Sequence, residues 1–211
     1  MGSSVDRPDS PIVDGRPAAA TVAPARLGLF ISIVATVFVS DQLTKLLAVD
    51  RLARVYVPRD VLGDALRLTL VYNPGAAFGL HLGSYSRWIF TALTIGALVL
   101  LYRLYRETNR ADIARVVAIA LVSGGAFGNL LDRLRSSRGV VDFIDVGIGT
   151  SRWPTFNVAD MAVSCGAILL AIVLWREDTR RHAESRETDD AQDTPVDTSS
   201  HASAADAPVH G

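Results

Sequence analysis

The chain has 211 residues, of which 49% are hydrophobic, and its formal net charge at pH 7 is −1. A near-neutral charge gives no basis for nucleic-acid binding, and the lone Cys165 excludes an internal disulfide. Mean hydropathy is positive although both ends of the chain are polar, so the apolar residues are concentrated in the middle. This distribution favours a membrane protein.

Both ends of the chain have the composition of disordered segments. Residues 1–25 are rich in Pro, Ala, Asp and Ser, and residues 183–211 are rich in Asp, Ser, Thr and Ala. Such segments cannot bury enough apolar surface to offset the entropy of ordering. We therefore expect a disordered tail over residues 1–25, one folded domain over residues 26–180, and a disordered tail over residues 181–211. Residues 1–25 also lack the apolar core of a cleavable signal peptide.

Four apolar stretches follow one another along the folded domain. They are residues 27–49, 84–102, 113–131 and 155–175. A membrane-spanning helix needs ~20 mostly apolar residues to cross ~30 Å of hydrocarbon. The second stretch must borrow flanking residues, and the third has Arg115 near its start, where the side chain can reach the interface. We predict four transmembrane helices, the alternative being buried core helices of a soluble α-helical domain.

The loop between the first and second stretches favours β structure. Residues 55–57 and 66–72 have strand-forming compositions, with a turn-like Gly63-Asp64 between them. Asn73-Pro74-Gly75 then breaks the second strand. We predict a small sheet that lies on the membrane surface, with an irregular loop as the alternative.

Alternation of the chain across a membrane gathers polar residues at one surface. The end of the first stretch, the loop after it, the end of the third and the start of the fourth share one face. The polar residues at these places are Asp41, Lys45, Asn73, Asn129, Asp132, Arg133, Asp142, Asn157 and Asp160. The sequence therefore predicts a carboxylate-rich site at one membrane surface.

Two of these groups follow the spacing of a helix face. Asp41 and Lys45 lie four residues apart, so we interpret them as a structural ion pair on the first helix. Asn129 reaches Asp132 and Arg133 at the next turn of the third helix. With Arg133 adjacent, Asp132 is expected to be an ionised, structural acid.

Asp160 lies about five residues into the fourth apolar stretch. Asn157 shares its helix face three residues earlier. A second carboxyl beside it would form an acid–base pair, and Asp132, Asp142 and Asp145 are all candidates that spacing does not separate. The alternative is a buried, hydrogen-bonded Asp160 without a catalytic role.

Other chemistries lack their residues. His81 is the only histidine outside the tails, so a Ser-His-Asp or Cys-His arrangement has no base and a zinc site has no ligand set. A magnesium site built from the aspartates is not favoured, because no D-x-x-D-type repeat is clear. We therefore predict no metal or cofactor, and a pair of carboxyls, one protonated and one ionised, as the reactive groups.

Five motifs, found in order along the four stretches, resemble those of signal peptidase II, the lipoprotein signal peptidase family. They are SDQLTK (residues 40–45), NPGAAFG (73–79), GGAFGNLLDR (124–133), VVDF (140–143) and FNVAD (156–160). Each motif alone is a weak signal, but five in this order are specific. The resemblance extends from about residue 34 to residue 175.

The resemblance implies a bacterial inner-membrane aspartic endopeptidase. Such enzymes remove the signal peptide from prolipoproteins, cutting just before a cysteine that carries diacylglyceryl. The implied fold is an all-α membrane protein of four transmembrane helices with a small extracytoplasmic β-cradle and a short surface helix. In that family the acids of the VVDF and FNVAD motifs form the catalytic pair, which implies Asp142 and Asp160 here; which of them is protonated stays open.

The remaining polar motif positions have implied supporting roles. Those that line the substrate site are Asn73, Asn129, Arg133 and Asn157, and those that support it are Asp41, Lys45 and Asp132. The implied partners are diacylglyceryl-modified prolipoproteins and membrane lipid, for an enzyme that acts as a monomer. Tight arginine clusters after the second and fourth stretches favour cytoplasmic termini and an active site on the outer face.

Two other classes of function remain open at this point. A small transporter or channel could use Asp41, Asp132 and Asp160 as an ion or proton relay, which predicts polar residues spread through the depth of the membrane. A non-catalytic lipoprotein-binding module could keep the same fold.

Overall fold

A computed structural model of the chain describes residues 24–52, 54–75, 83–109 and 111–192. Its long helices are α1 (Pro24–Leu52), α2 (Ser86–Glu107), α3 (Ile113–Arg135) and α4 (Val158–Gln192). All four are long and apolar enough to cross a membrane. The four predicted spans are therefore confirmed, and each helix extends beyond at least one end of the stretch that predicted it.

Helix α4 differs most from its predicted length. It continues to Gln192, so residues 181–192 are helical where we expected the disordered tail to begin. Once a helix is nucleated, each further residue adds a hydrogen bond, and polar residues can extend it. Asp178 and His182, four residues apart, also approach to 3.6 Å on this segment. Residues 1–23 and 193–211, which contain most of both predicted tails, lie outside the described residues.

Helix α3 is the central element of the bundle, since it packs against α1, α2 and α4. Small residues make this possible. A Cβ atom on Gly124 would lie 2.9 Å from the side chain of Val37 in α1, and one on Gly125 would collide with the backbone of Ala159 in α4. Glycine at these positions therefore lets both neighbouring helices approach α3 closely.

An antiparallel sheet adjoins the end of the bundle where α1 and α3 finish and α4 begins. Its strands are β1 (Arg59–Leu62), β2 (Leu66–Asn73), β3 (Val140–Ile148) and β4 (Ser151–Arg152), in that spatial order. Ala48 and Leu52 of α1 form a buried cluster with Leu70 and Phe143, which fixes the sheet on the helices. The sheet thus carries the VVDF motif on β3, directly above the bundle.

The strand and turn predictions have mixed outcomes. The strand predicted over residues 66–72 is confirmed, and so is the turn, in which Gly63 has a φ of +52°. The strand predicted over residues 55–57 is wrong. Tyr56 has a φ of +62°, which breaks the extended backbone, and only Val55 forms an isolated bridge, to Leu70.

The apolar run that contains the VVDF motif is strand β3, which the sequence analysis left unassigned. Among the described residues, the short helical segment outside the four long helices is a 3-10 turn at Gly83–Tyr85. The architecture is therefore a four-helix membrane protein with a small antiparallel sheet, as predicted.

Candidate active site

The first turn of α4 is held by two reciprocal hydrogen bonds. The side-chain oxygen of Asn157 accepts from the backbone N–H of Asp160 at 2.9 Å, and Asp160 Oδ2 accepts from the backbone N–H of Asn157 at 3.1 Å. This is a capping box, in which the residue before the helix and the third residue within it satisfy each other's N–H groups. Capping therefore fixes the Asp160 carboxyl at the start of α4.

Asp142 reaches the same asparagine from β3. Asn157 Nδ2 donates to Asp142 Oδ1 at 2.7 Å, and Asn73 Nδ2 donates to Asp142 Oδ2 at 3.2 Å. Burial, followed by the nearby charge of Asp160, raises the pKa of Asp142 to about 7. The structure thus brings Asp142 and Asp160 into contact with one shared side chain, that of Asn157.

Asn73 is aimed at Asp142 by the turn that ends β2. The backbone N–H of Gly75 donates to Asn73 Oδ1 at 3.0 Å, which closes a small side-chain turn. Gly75 has a φ of +116°, and its carbonyl oxygen accepts from Ser86 Oγ of α2 at 3.0 Å. The predicted break at Asn73-Pro74-Gly75 is confirmed, and it orients the Asn73 amide.

Asn129 of α3 connects Asp160 to the ion pair of α1. Its Nδ2 donates to Asp160 Oδ1 at 2.8 Å. Its oxygen accepts from Lys45 Nζ at 2.9 Å and from Asn157 Nδ2 at 3.2 Å. Both carboxyls therefore accept hydrogen bonds from asparagine amides, in a network that continues into the helix bundle.

Lys45 lies between two carboxylates in the interior. Its Nζ is 2.8 Å from Asp41 Oδ2 and 2.8 Å from Asp132 Oδ2. The predicted pair of Asp41 and Lys45 is confirmed, and Asp41 Oδ1 also accepts from the backbone N–H of Ala159 at 3.0 Å, at the start of α4. The ionic partner of Asp132 is Lys45 rather than Arg133, because adjacent residues of a helix do not face each other.

Arg133 lies next to the asparagine network. Its Nη1 donates to the carbonyl oxygen of Asn129 at 3.3 Å, and its guanidinium carbon is 5.9 Å from the ring centre of Phe90. This contact between a cation and an aromatic face joins α3 to the outer part of α2. Phe90 lies outside the five motifs, so no sequence signal pointed to it.

The three acids that the sequence left open have different partners. Asp142 contacts Asn157, Asp132 pairs with Lys45, and Asp145 binds Thr69 and Arg152 within the sheet. Of the three acids, Asp142 is therefore the one that binds Asn157, the residue that forms the capping box with Asp160.

Gln42 is a site residue that the sequence analysis did not single out. Its Nε2 donates to Asp41 Oδ2 at 3.1 Å and lies 3.4 Å from Asp132 Oδ1. Gln42 therefore contacts both acids that flank Lys45, Asp41 and Asp132. Its place inside the SDQLTK motif was the available signal.

Comparison with known proteins gives consistent matches. A family model described as Signal peptidase (SPase) II matches residues 33–176. A protein named lipoprotein signal peptidase, from Burkholderia mallei (strain SAVP1), is 43% identical over 145 residues, which cover 67% of this chain and 83% of that protein. A protein of the same name from Paraburkholderia phymatum is 39% identical over 158 residues, or 74% of this chain and 89% of that protein.

Two solved structures, each described as a bacterial membrane enzyme studied by the in meso method, are similar to this chain. The one at 2.3 Å resolution has a TM-score of 0.65 and 32% identity, covering 73% of this chain and 92% of its own. The one at 1.9 Å has a TM-score of 0.62 and 34% identity, covering 70% of this chain and 93% of its own.

Proposed function

The chain belongs to the signal peptidase II family, and from this premise we propose that it is a membrane aspartic endopeptidase acting on prolipoproteins. In the proposal it removes the signal peptide from precursors modified with diacylglyceryl, and it cuts just before the lipidated cysteine. The observation that carries the proposal is the shared asparagine. Asn157 donates to Asp142 at 2.7 Å and forms the capping box with Asp160.

In the proposed reaction, Asp142 and Asp160 share one proton over an attacking water. The ionised carboxylate removes a proton from the water as its oxygen bonds to the scissile carbonyl carbon. The protonated carboxyl donates a hydrogen bond to the carbonyl oxygen. The C–N bond then breaks, and the leaving nitrogen receives the proton that was taken from the water. Both acids are regenerated, and no covalent bond to the enzyme forms.

The asparagines support this assignment through their hydrogen bonds to the acids. Asn73 and Asn157 donate to Asp142, and Asn129 donates to Asp160. Amide donors stabilise a carboxylate without themselves gaining or losing a proton. In the proposal they hold the ionised member of the pair, while Arg133 binds the peptide backbone of the substrate.

The proposed setting is the outer face of the cytoplasmic membrane, with both termini in the cytoplasm. An even number of spans puts the termini on one side, and arginines lie on that side in the last turns of α2 and in α4 beyond its apolar part. The precursor would enter sideways from the bilayer, its acyl chains remaining in lipid, and the enzyme would act as a monomer. Clustering of the buried acids near one surface disfavours an ion relay, which needs polar groups through the full depth.

The direct test is cleavage of a lipidated peptide by the purified protein in detergent. We expect Asp142→Asn and Asp160→Asn each to lower kcat on the order of 10²–10⁴-fold, because each removes a proton-transfer group. Asp50→Asn is the matched control, since that side chain is 75% exposed and, among the residues that the structure describes, its ionic partner is the exposed Arg51. Normal turnover in either site variant removes that residue from the mechanism, and binding without cleavage by the unaltered protein favours a binding module.

A further inference from the structure

A second polar network lies within the sheet, apart from the two proposed catalytic acids. Asp145 of β3 is buried, and its Oδ2 accepts from Thr69 Oγ1 at 2.9 Å while its Oδ1 accepts from Arg152 Nε at 2.5 Å. Arg152 also donates to the carbonyl oxygens of Asp145 at 3.0 Å and Asp64 at 2.9 Å. The network therefore connects β2, β3, β4 and the turn between β1 and β2.

This network contacts β2 where its pairing with β3 is irregular. Leu68 of β2 pairs with Ile144 of β3. Val71, three residues along β2, pairs with Asp142, which is only two residues along β3. β2 therefore contains a β-bulge, and Thr69 lies inside it. The bond from Thr69 to Asp145 fastens the bulged segment to the neighbouring strand.

The bulge decides which residues of β2 lie on the same face of the sheet as Asp142. Side chains of a strand alternate between the two faces, so a slip of one residue turns every side chain to the opposite face. Asp142 is the first residue of β3 paired beyond the bulge. Paired residues face the same side of a sheet, so Asn73, two residues after Val71, lies on the face of Asp142, and the 3.2 Å contact between them depends on this register.

We propose that Thr69, Asp145 and Arg152 are positioning residues that hold the β2–β3 register and thereby keep the Asn73 amide against Asp142. The inference rests on the proposed function, in which Asp142 is catalytic. In the part of the chain that the structure describes, the three residues make no hydrogen bond with Asp142, so they act through the backbone of β3. Removing a partner of a buried carboxylate such as Asp145 is costly, so the network holds the strands firmly.

Substitution of Thr69 is the mildest way to remove a hydrogen bond from this network. Thr69→Val keeps the shape of the side chain and removes the hydroxyl, whereas Thr69→Ser keeps the hydroxyl. We expect Thr69→Val to lower kcat by about 10-fold to 100-fold with KM little changed, because a small misplacement of a reacting group is costly. Thr69→Ser should restore most of the rate. Thr108→Val is the matched control, since it removes a hydroxyl that donates to the carbonyl oxygen of Leu104 at 2.6 Å, at the C-terminal end of α2 and away from the sheet.

The pH profile of kcat separates a positioning role from a general loss of folded enzyme. The charged groups that face Asp142 are Asp160 of α4, Lys45 of α1 and Arg133 of α3. Hydrogen bonds from Asn73 and Asn157 lower the pKa of Asp142, opposing the effect of burial. Loss of register weakens the bond from Asn73, so the limb of the pH profile that Asp142 governs should move to higher pH in Thr69→Val and not in Thr108→Val.

Two results would overturn the inference. One is wild-type kcat in Thr69→Val, and the other is an equal loss of kcat in Thr69→Val and Thr108→Val with an unmoved pH limb. Asp142→Asn, assayed alongside, separates this failure from that of the proposed function. Wild-type cleavage by Asp142→Asn removes the catalytic assignment itself, whereas an inactive Asp142→Asn beside a fully active Thr69→Val removes only the positioning role.

Discussion

The two proposed catalytic acids are held by different kinds of structure. Asp160 lies in the first turn of a helix, and its capping box joins residues only three apart in the chain. Asp142 lies on a strand, and its partners Asn73 and Asn157 are 69 and 15 residues away. The helical acid is oriented by local geometry, whereas the strand acid depends on the register of the sheet and on how the sheet sits on the bundle.

The first prediction concerns the buried ion pairs of the helices, which Lys45 of α1 forms with Asp41 and Asp132. Lys45→Met leaves Asp41 and Asp132 buried without their cation, which should destabilise the protein by about 3–5 kcal/mol. The measurement is thermal unfolding in detergent at pH 7. Arg51→Met is the control, because Arg51 and Asp50 form an exposed pair expected to contribute about 0–1 kcal/mol. Equal stability of the two variants would contradict a buried role for Lys45.

The second prediction concerns Asn157, the residue that contacts both Asp142 and Asp160. Asn157→Ala takes away the hydrogen bond to Asp142 and the cap of α4 together, and we expect kcat to fall by about 10²-fold, or about 2.7 kcal/mol. Steady-state cleavage of a lipidated peptide measures this. Asn109→Ala, in the exposed connection between α2 and α3, is the matched control. A rate in Asn157→Ala equal to that of the control would show that the acids do not need their shared partner.

The third prediction concerns the protonation of Asp142, the acid that lies on strand β3. Burial raises the pKa of Asp142 to about 7, well above the ordinary value of an aspartic acid. Between about pH 4 and pH 7 the folded protein keeps a proton that the unfolded chain has released, so this group makes the free energy of unfolding fall as pH rises. Above pH 7 the loss is complete, because both states are ionised.

Asp142→Asn cannot ionise, so it should remove this slope and stabilise the protein at pH 8 by at least about 1 kcal/mol. Melting temperatures measured from pH 4 to pH 8 check the prediction, with Asp50→Asn as the exposed control. Parallel curves of melting temperature against pH for Asp142→Asn and the unaltered protein would contradict a buried carboxyl with a raised pKa at this position.

Much of the candidate site was predictable because it follows a helix period. Asp41 with Lys45, and Asn157 with Asp160, lie four and three residues apart, and both pairs form the contacts that this spacing predicts. The limits of the same rule appear at Asp132. Its neighbour Arg133 suggested a local partner, but the buried cation came from Lys45 of another helix.

Three features follow from the order of residues along the chain: the four spans, the gathering of polar groups at one membrane surface, and the local cap that orients Asp160. These depend on apolar length and on contacts within a single helical turn. The choice of Asp142 over Asp132 and Asp145 as the contact of Asn157 was decided by the tertiary structure. The reason is that strand pairing, the bulge at Thr69 and the seating of the sheet on α1 set that distance, and residue spacing along the chain does not encode them.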